Sequence, residues 1–260
     1  MTSTDRRAAL RTGAGLLAGA AALSACTPTG AVTSPAPTTT PTPTPTPDKP
    51  RAAPGPRRFP AQPDQITHGP RTHPRVALTF HGQGDPATAR ALLTEAERHG
   101  ARLTVLAVGT WLDDHPELAG RILDGGHDLG NHTHRHLAID AMPEAEARAE
   151  ITACAERLRR LTGSIGTWFR PSRAPRASPL VARLAREAGY PHVLSYDVDS
   201  LDYTAPGADA VTRTVLAQVR AGSVVSLHFG YPDTVAALPA VLNALDRRGL
   251  RAVTTTELLS

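Results

Sequence analysis

The stretch Gly130-Asn-His-Thr-His-Arg-His136 packs three imidazoles, His132, His134 and His136, into five residues directly after an apolar, strand-like segment. Neutral imidazole is a common ligand of divalent cations, so this density points to a metal site. His132 and His136 stand four apart, and on one helical turn both rings would lean to the same side and grip one ion. His134 would then point away. A polar surface turn whose histidines merely hydrogen-bond is the competing reading, and the cluster alone leaves the two open.

The elements that must position such a cluster follow a regular rhythm past Pro60. Arg75-Val-Ala-Leu-Thr-Phe80 reads as a strand, and Pro86 to His99 as a helix with Asp85 as N-cap, Pro86 at its first position and Gly100 ending it. Arg102 to Val108 is the second strand. Further helices are predicted over Pro116–Asp124, Pro143–Leu161, Ser178–Ala188, Asp209–Arg220 and Thr234–Arg248. Short strands are predicted near Asp128–Gly130, Thr167–Phe169, Val193–Ser195, Ser223–Leu227 and Arg251–Val253. About seven strand-helix units in alternation predict an α/β fold, a distorted barrel of about seven parallel strands with outer helices. In such a barrel the site lies at the strand C-terminal ends. His81, His132, Arg170, Asp199 and His228 all fall at those ends, whereas His115 and His127 sit beside turns and read as surface residues.

The first quarter of the chain is built differently. Arg6-Arg7 precede a short Ala, Leu and Gly run over Ala8–Ala22, which Leu23-Ser-Ala-Cys26 closes. Residues 1–25 therefore read as a Tat-type lipoprotein signal peptide, with Cys26 as the lipidated first residue of the mature chain. Residues 26–58 are rich in Thr and Pro, with almost no large apolar side chain, so they read as a disordered tether without a core. Polyproline II geometry gives that tether a reach of roughly 90 Å at about 3.1 Å per residue. Residues 59–260 form the folded domain. The location this predicts is extracytoplasmic, on the outer face of the cell membrane.

Composition excludes several functions. The formal charge of +4 falls to +2 once Arg6, Arg7, Arg11 and Asp5 leave with the signal, and aromatic residues make up only 4% of the chain. No basic cluster interleaves with aromatics, so a nucleic-acid partner is not expected. With Cys26 assigned to lipidation and Cys154 in a helical pattern, there is no disulfide framework. The domain must rest on its own core, and a monomer is expected.

At this point the sequence resembles the NodB-homology polysaccharide deacetylases, metal-dependent carbohydrate esterases that remove acetyl groups from N-acetylated sugars. The likeness covers most of Val76 to Leu259. His132-Thr-His-Arg-His136 resembles the family's H-[ST]-x-x-H metal motif, which assigns His132 and His136 as ligands. Trp168-Phe-Arg-Pro171 resembles the start of its R-P-P-Y motif. Asp197-Val-Asp-Ser-Leu-Asp-Tyr203 resembles D-x-x-D-W, and Val225-Ser-Leu-His228 resembles L-x-L-H-D. The resemblance implies a parallel-stranded barrel, a divalent ion of which zinc is the expected one, and an N-acetylated polysaccharide such as peptidoglycan as substrate.

The departures carry as much information. The family's first motif reads T-F-D-D-G, with a base and a metal ligand as its two carboxylates, whereas this chain reads Thr79-Phe-His-Gly-Gln-Gly-Asp85. A catalytic zinc site usually has three protein ligands. The third is assigned to His81, with Asp85 as the base; the converse, Asp85 as ligand and His81 as base, stays open. By resemblance His228 is the general acid, Asp199 the carboxylate that orients it, and Arg170 the partner of Asp85 or Asp199. Ser172-Arg173, Tyr203 and Phe229 replace family residues and predict a remodelled substrate groove. A domain that has lost catalysis and only binds glycan or a wall partner is the alternative these departures raise.

Overall fold

The computed structural model describes residues 52–260. The expected signal peptide, the lipidation residue Cys26 and the tether through residue 51 lie outside the described residues. Among the described residues no helix is long and apolar enough to cross a membrane.

Among the described residues there are eight strands and eight α-helices, and β1, β6, α2 and α8 are additions to the predicted rhythm. The strands are β1 (Gln65–Ile66), β2 (Arg75–Gly82), β3 (Thr104–Ala107), β4 (Asp128–Asn131), β5 (Val193–Leu194), β6 (Val198–Asp199), β7 (Val224–His228) and β8 (Arg251–Val253). The helices are α1 (Pro86–Arg98), α2 (Gly109–Asp114), α3 (Glu117–Asp124), α4 (Glu144–Thr162), α5 (Pro179–Glu187), α6 (Ala208–Gln218), α7 (Pro232–Arg247) and α8 (Thr255–Leu258). Capping chemistry sets several boundaries. Asp85 accepts from the Ala87 amide at the start of α1, Ser178 caps α5, and α4 stops at Gly163, which takes φ +77°.

All strand pairs are parallel, in the order β4-β3-β2-β7-β6, and the first half of β2 also pairs with β8. The expected strand at Thr167–Phe169 shrinks to one bridging residue, Phe169, between Asn131 and Val193. β5 pairs with β1 rather than with β6. The fold is thus the predicted α/β barrel of parallel strands, with its hydrogen-bond ladder left open.

Period-2 alternation along β2 explains how the site is supported. Val76, Leu78 and Phe80 join the apolar layer beneath the helices, together with Val105, Leu129, Val225 and Leu227. Ala77, Thr79 and His81 face the barrel interior, where Ala77 packs with Ile66, Leu106, Trp168, Val224, Val253 and Leu258. Burying each of these larger aliphatic side chains contributes roughly 1.5–3 kcal/mol. The interior is therefore apolar at the strand N-terminal ends and polar at the C-terminal ends. His81 stands on that polar rim.

Two expectations change at the domain's edges. The tether was expected to run to residue 58, but Ala53 is buried and its amide donates to the Thr162 carbonyl. Phe59 stacks on Trp168 with ring centroids 5.5 Å apart. The packed domain thus includes residue 53, with Ala53 in the apolar layer beneath the helices and Phe59 in the apolar end of the barrel interior. His127, expected at the surface, is buried instead. Its Nδ1 accepts from the Leu103 amide, pinning the entry to β3.

Candidate active site

The parallel register delivers the first pair of residues. His81 on β2 pairs with His228 on β7, and their ring centroids lie 4.1 Å apart. His132 follows β4 directly, and its amide donates to the Ala107 carbonyl at the end of β3.

Residues 132–136 do not form the helical turn expected from the four-residue spacing. They form a loop in which Thr133 and His136 adopt φ of 67° and 56°. A non-glycine residue in this left-handed region costs about 1–2 kcal/mol. Hydrogen bonds along the loop offset it. Thr133 N donates to Asn131 Oδ1, the Gly109 and Thr110 amides of α2 donate to the Thr133 and His134 carbonyls, and Arg135 N donates to the buried carboxylate of Glu150. Each such bond contributes about 0.5–1.5 kcal/mol net, and more where a charge is involved, so their sum exceeds the backbone strain. Glycine at 109 is required, since a Cβ there would meet His134 Nδ1 at 2.3 Å.

This loop turns the rings of His132 and His136 inward. His132 Nε2 lies 3.0 Å from His81 Nδ1 and 3.1 Å from His136 Nε2. Donors at about 2.0–2.1 Å around a tetrahedral zinc ion stand roughly 3.3 Å apart, and one donor nitrogen from each ring lies within 4.8 Å of the other two. One hydrogen bond fixes a tautomer that metal binding needs: His132 Nδ1–H donates to the Arg170 carbonyl, which leaves His132 Nε2 unprotonated toward the cluster. His81 Nε2 lies 3.2 Å from Ser226 Oγ, a hydroxyl that can accept its proton when Nδ1 faces an ion. Burial, together with repulsion among the histidines and the charge of Arg170, holds the basicity of His81 and His132 well below the ordinary imidazole value. His136 is lowered to about 4, by burial first and then by Arg173 and His228. Three neutral imidazoles converging on one point fit a divalent ion. His134 is the bystander expected, packed on Gly109 and facing Asp113 at 3.8 Å.

Asp85 does not join them. Its Oδ1 accepts from Ala87 N at 2.7 Å, so its carboxylate caps α1 instead of acting as base or ligand. The turn that carries it away passes through Gly84, at φ +103°, where a Cβ would lie 2.5 Å from Gly230 Cα. Asp85→Ala is expected to cost about 0.5–2 kcal/mol of stability, the usual loss of an N-cap. Metal content and turnover are expected to stay at wild-type levels, checked by thermal melting beside a metal assay.

The carboxylate that orients His228 is Asp202, not Asp199. His228 Nδ1 lies 2.7 Å from Asp202 Oδ1, the His228 amide donates to Oδ2 at 2.8 Å, and Thr234 Oγ1 donates to Oδ2 at 2.6 Å. Asp202 is fully buried. Burial pushes its carboxyl upward, but the hydrogen bond and attraction of His228, with the Thr234 hydroxyl, bring it below the ordinary value. Asp199 lies one turn earlier, at the pocket wall, with Oδ1 accepting from Leu201 N. The signal for Asp202 was in the sequence: Asp199-Ser-Leu-Asp-Tyr203 fits D-x-x-D with Asp202 as its second carboxylate.

Arg170 pairs with neither Asp85 nor Asp199. Its guanidinium is buried and donates to the Leu194 and Ser195 carbonyls, while Nη1 has no hydrogen-bond partner among the described residues. Burial lowers it to about 10. The resemblance gives this arginine a carboxylate partner in the first motif, and position 81 here is a histidine.

The pocket above these groups has a volume of about 370 Å³ and is walled by Tyr196, Tyr203, Tyr231, Arg173 and Asp199 beside the histidines. Of the replacements expected to remodel the groove, Tyr203 and Arg173 do so. Phe229 does not: it points to the outer core, packed on Phe80 and Trp111. Ser172 is buried, bonded to Thr133 and the Leu137 carbonyl, and so ties its loop to the histidine loop.

A parallel α/β barrel with three convergent imidazoles and a His-Asp pair at its mouth carries the groups that metal-assisted hydrolysis uses. Comparison with known proteins gives the family. A family model described as polysaccharide deacetylase matches residues 68–193. A peptidoglycan-N-acetylglucosamine deacetylase of Bacillus cereus is 30% identical over 194 residues, covering 73% of this chain and 90% of that protein. Among solved structures, a peptidoglycan N-acetylglucosamine deacetylase in complex with 4-naphthalen-1-yl-N-oxidanyl-benzamide is 28% identical with a TM-score of 0.70, covering 75% of this chain and 92% of that one. A CE4 family pseudoenzyme from Bacillus anthracis, 22% identical, shares the fold with a TM-score of 0.71, covering 76% of this chain and 70% of that one. The chain belongs to the NodB-homology polysaccharide deacetylase family.

Proposed function

We propose that this chain removes acetyl groups from N-acetylated sugars of a cell-surface polysaccharide, with peptidoglycan as the target. Zinc would be held by His81, His132 and His136. The lipobox-like Leu23-Ser-Ala-Cys26 and the Thr/Pro-rich segment behind it support a lipid-anchored, extracytoplasmic enzyme that works as a monomer. The observation that carries the reading is the meeting, at one barrel mouth, of three neutral imidazole nitrogens and the His228–Asp202 pair.

A divalent ion at such a site lowers the pKa of water and polarises the acetyl carbonyl. The protein's residues do the rest. Asp202 holds Nδ1–H of His228, which leaves Nε2 free to exchange protons in the pocket. With Asp85 spent on α1, His228 Nε2 is the group placed to take a proton from the attacking water. As the carbon–nitrogen bond breaks, the same nitrogen returns that proton to the departing amine. The products are acetate and a free amino sugar. Tyr203 and Tyr231, with ring centroids 5.4 and 5.8 Å from His228, give the sugar apolar faces to rest on.

The test is acetate release from N-acetylated glycan strands by the zinc-loaded chain. Release that stops with a chelator and returns with zinc is the expected result. Tight zinc binding without release from any N-acetylated glycan would favour the glycan-binding alternative, which the lack of a first-motif carboxylate motivates. Failure to bind metal would remove both the site and the enzyme.

A further inference from the structure

Two of the three converging imidazoles rest their outer nitrogen on the protein, and the third does not. His132 Nδ1 donates to the Arg170 carbonyl, and His81 Nε2 lies 3.2 Å from Ser226 Oγ. His136 bonds only through Nε2, toward His132, and among the described residues its Nδ1 has no hydrogen-bond partner. Its ring is therefore placed by the backbone that carries it, which stands in the costly left-handed region at φ 56°. That backbone is fixed on both sides. After it, Ser172 Oγ donates to the Leu137 carbonyl. Before it, Glu150 of α4 takes Arg135 with both carboxylate oxygens: Oε2 accepts from the Arg135 amide at 2.8 Å and Oε1 from Nε at 2.6 Å. Two bonds from one carboxylate to the amide and the side chain of one residue hold residue 135 in a single orientation, directly ahead of the ligand.

Packing alone does not account for this carboxylate. Glu150 is 3% exposed and sits on a face of α4 whose other buried residues include Ala147, Ile151 and Cys154, whereas the Arg135 side chain is 56% exposed. Burying a charge is costly, and an ion pair open to solvent on one side repays little of it. The same turn of α4 also grips the start of the loop: the Ile151 carbonyl accepts from Asn131 Nδ2, while Asn131 Oδ1 accepts from the Thr133 amide. Resting on the metal site of the reading above, we propose that Glu150 is a positioning residue for the metal, holding His136 in ligating geometry through Arg135. Leaving the left-handed region is downhill for a residue other than glycine, so a released His136 moves away from the ion instead of staying beside it. Loss of Glu150 thus weakens the site while all three ligand side chains remain in the chain.

The experiment uses the full chain and two variants at opposite ends of the clamp, Glu150→Gln and Arg135→Ala. Zinc affinity is measured by competition with a chelator, coordination by the visible absorption of the cobalt-loaded chain, and folding by circular dichroism and melting of the metal-free chain. Glu150→Gln is expected to bind zinc about 10–100-fold more weakly, the usual cost of losing a group that orients a ligand, and to lose the intense absorption of four-coordinate cobalt. Arg135→Ala keeps the amide bond and is expected to lose less. The double variant is expected to lose no more than Glu150→Gln alone, because both changes open one clamp. Wild-type zinc affinity and cobalt absorption in Glu150→Gln overturn the proposal even where the melting temperature falls, since that is the result a merely structural carboxylate gives. If Glu150→Gln does not fold, Arg135→Ala decides, and wild-type affinity in that folded variant overturns the clamp. A clamp-dependent affinity with no acetate released by the wild type leaves the clamp standing and removes the deacetylase reading, whereas a wild type that binds no zinc removes both.

Discussion

Replacing His132 by alanine is expected to empty the metal site and stop deacetylation. His132 Nε2 is the shared vertex of the cluster, within 3.1 Å of a nitrogen on each of the other two rings, so its loss leaves His81 and His136 without a common point. Losing a residue that merely orients a ligand weakens metal binding about 10–100-fold, and losing the ligand itself costs more. Zinc content measured after dialysis should fall from about one ion per chain to nearly none. The rate should drop at least about 10²–10³-fold, the cost of removing a main electrophilic group. His81→Ala should behave alike, because the neighbouring Gly82 supplies no donor in its place. His81→Ala with full zinc content and lost turnover would instead mark His81 as the base and overturn its assignment as ligand.

The second large effect belongs to Asp202→Asn. The substitution keeps the shape of the side chain but presents an amide N–H to donors that now meet carboxylate oxygen: His228 Nδ1–H, the His228 amide and the Thr234 hydroxyl. His228 is then free to take the wrong tautomer, and turnover should fall about 10²–10⁴-fold, the range seen when a proton-transferring histidine loses its support. Zinc content is expected to be unchanged, which separates this variant from His132→Ala. The pH dependence follows from the sign of the shift. Because the Asp202 carboxyl lies below its ordinary value of 3.8, its contribution is complete above that value and is lost only as the pH falls through the depressed one. The deficit of the variant should therefore persist at every pH where the wild type works. A deficit that vanished toward neutral pH would place the carboxylate's role elsewhere.

The sequence revealed most where a local rule decides the structure. Asp85-Pro86 started α1 and Ser178-Pro179 started α5 because capping needs only neighbouring atoms. The alternation on β2 placed His81 on the inner face for the same local reason. What depended on distant contacts was misread. The four-residue spacing of His132 and His136 suggested a helical turn, yet the loop is set by Ala107, Gly109, Thr110 and Glu150, which approach from β3, α2 and α4. Helix α2 itself escaped notice: it has six residues and no side-chain cap. The motif points to Asp199 where the structure uses Asp202, because a motif orders residues without showing how the chain turns between them. Leu201, at φ +57°, swings Asp202 inward beneath His228.

The stacking of Phe59 on Trp168 and the burial of Ala53 also give the domain a polarity. Phe59 packs against the apolar cluster of Ile66, Val224 and Leu258 at the strand N-terminal ends and Ala53 is bonded to Thr162 at the last turn of α4, while the histidines occupy the other end. The polypeptide thus arrives at one pole and does its chemistry at the opposite one. A support gripping the domain by its point of entry would leave the catalytic mouth facing outward, able to meet long strands end-on or side-on without the mooring standing in their way.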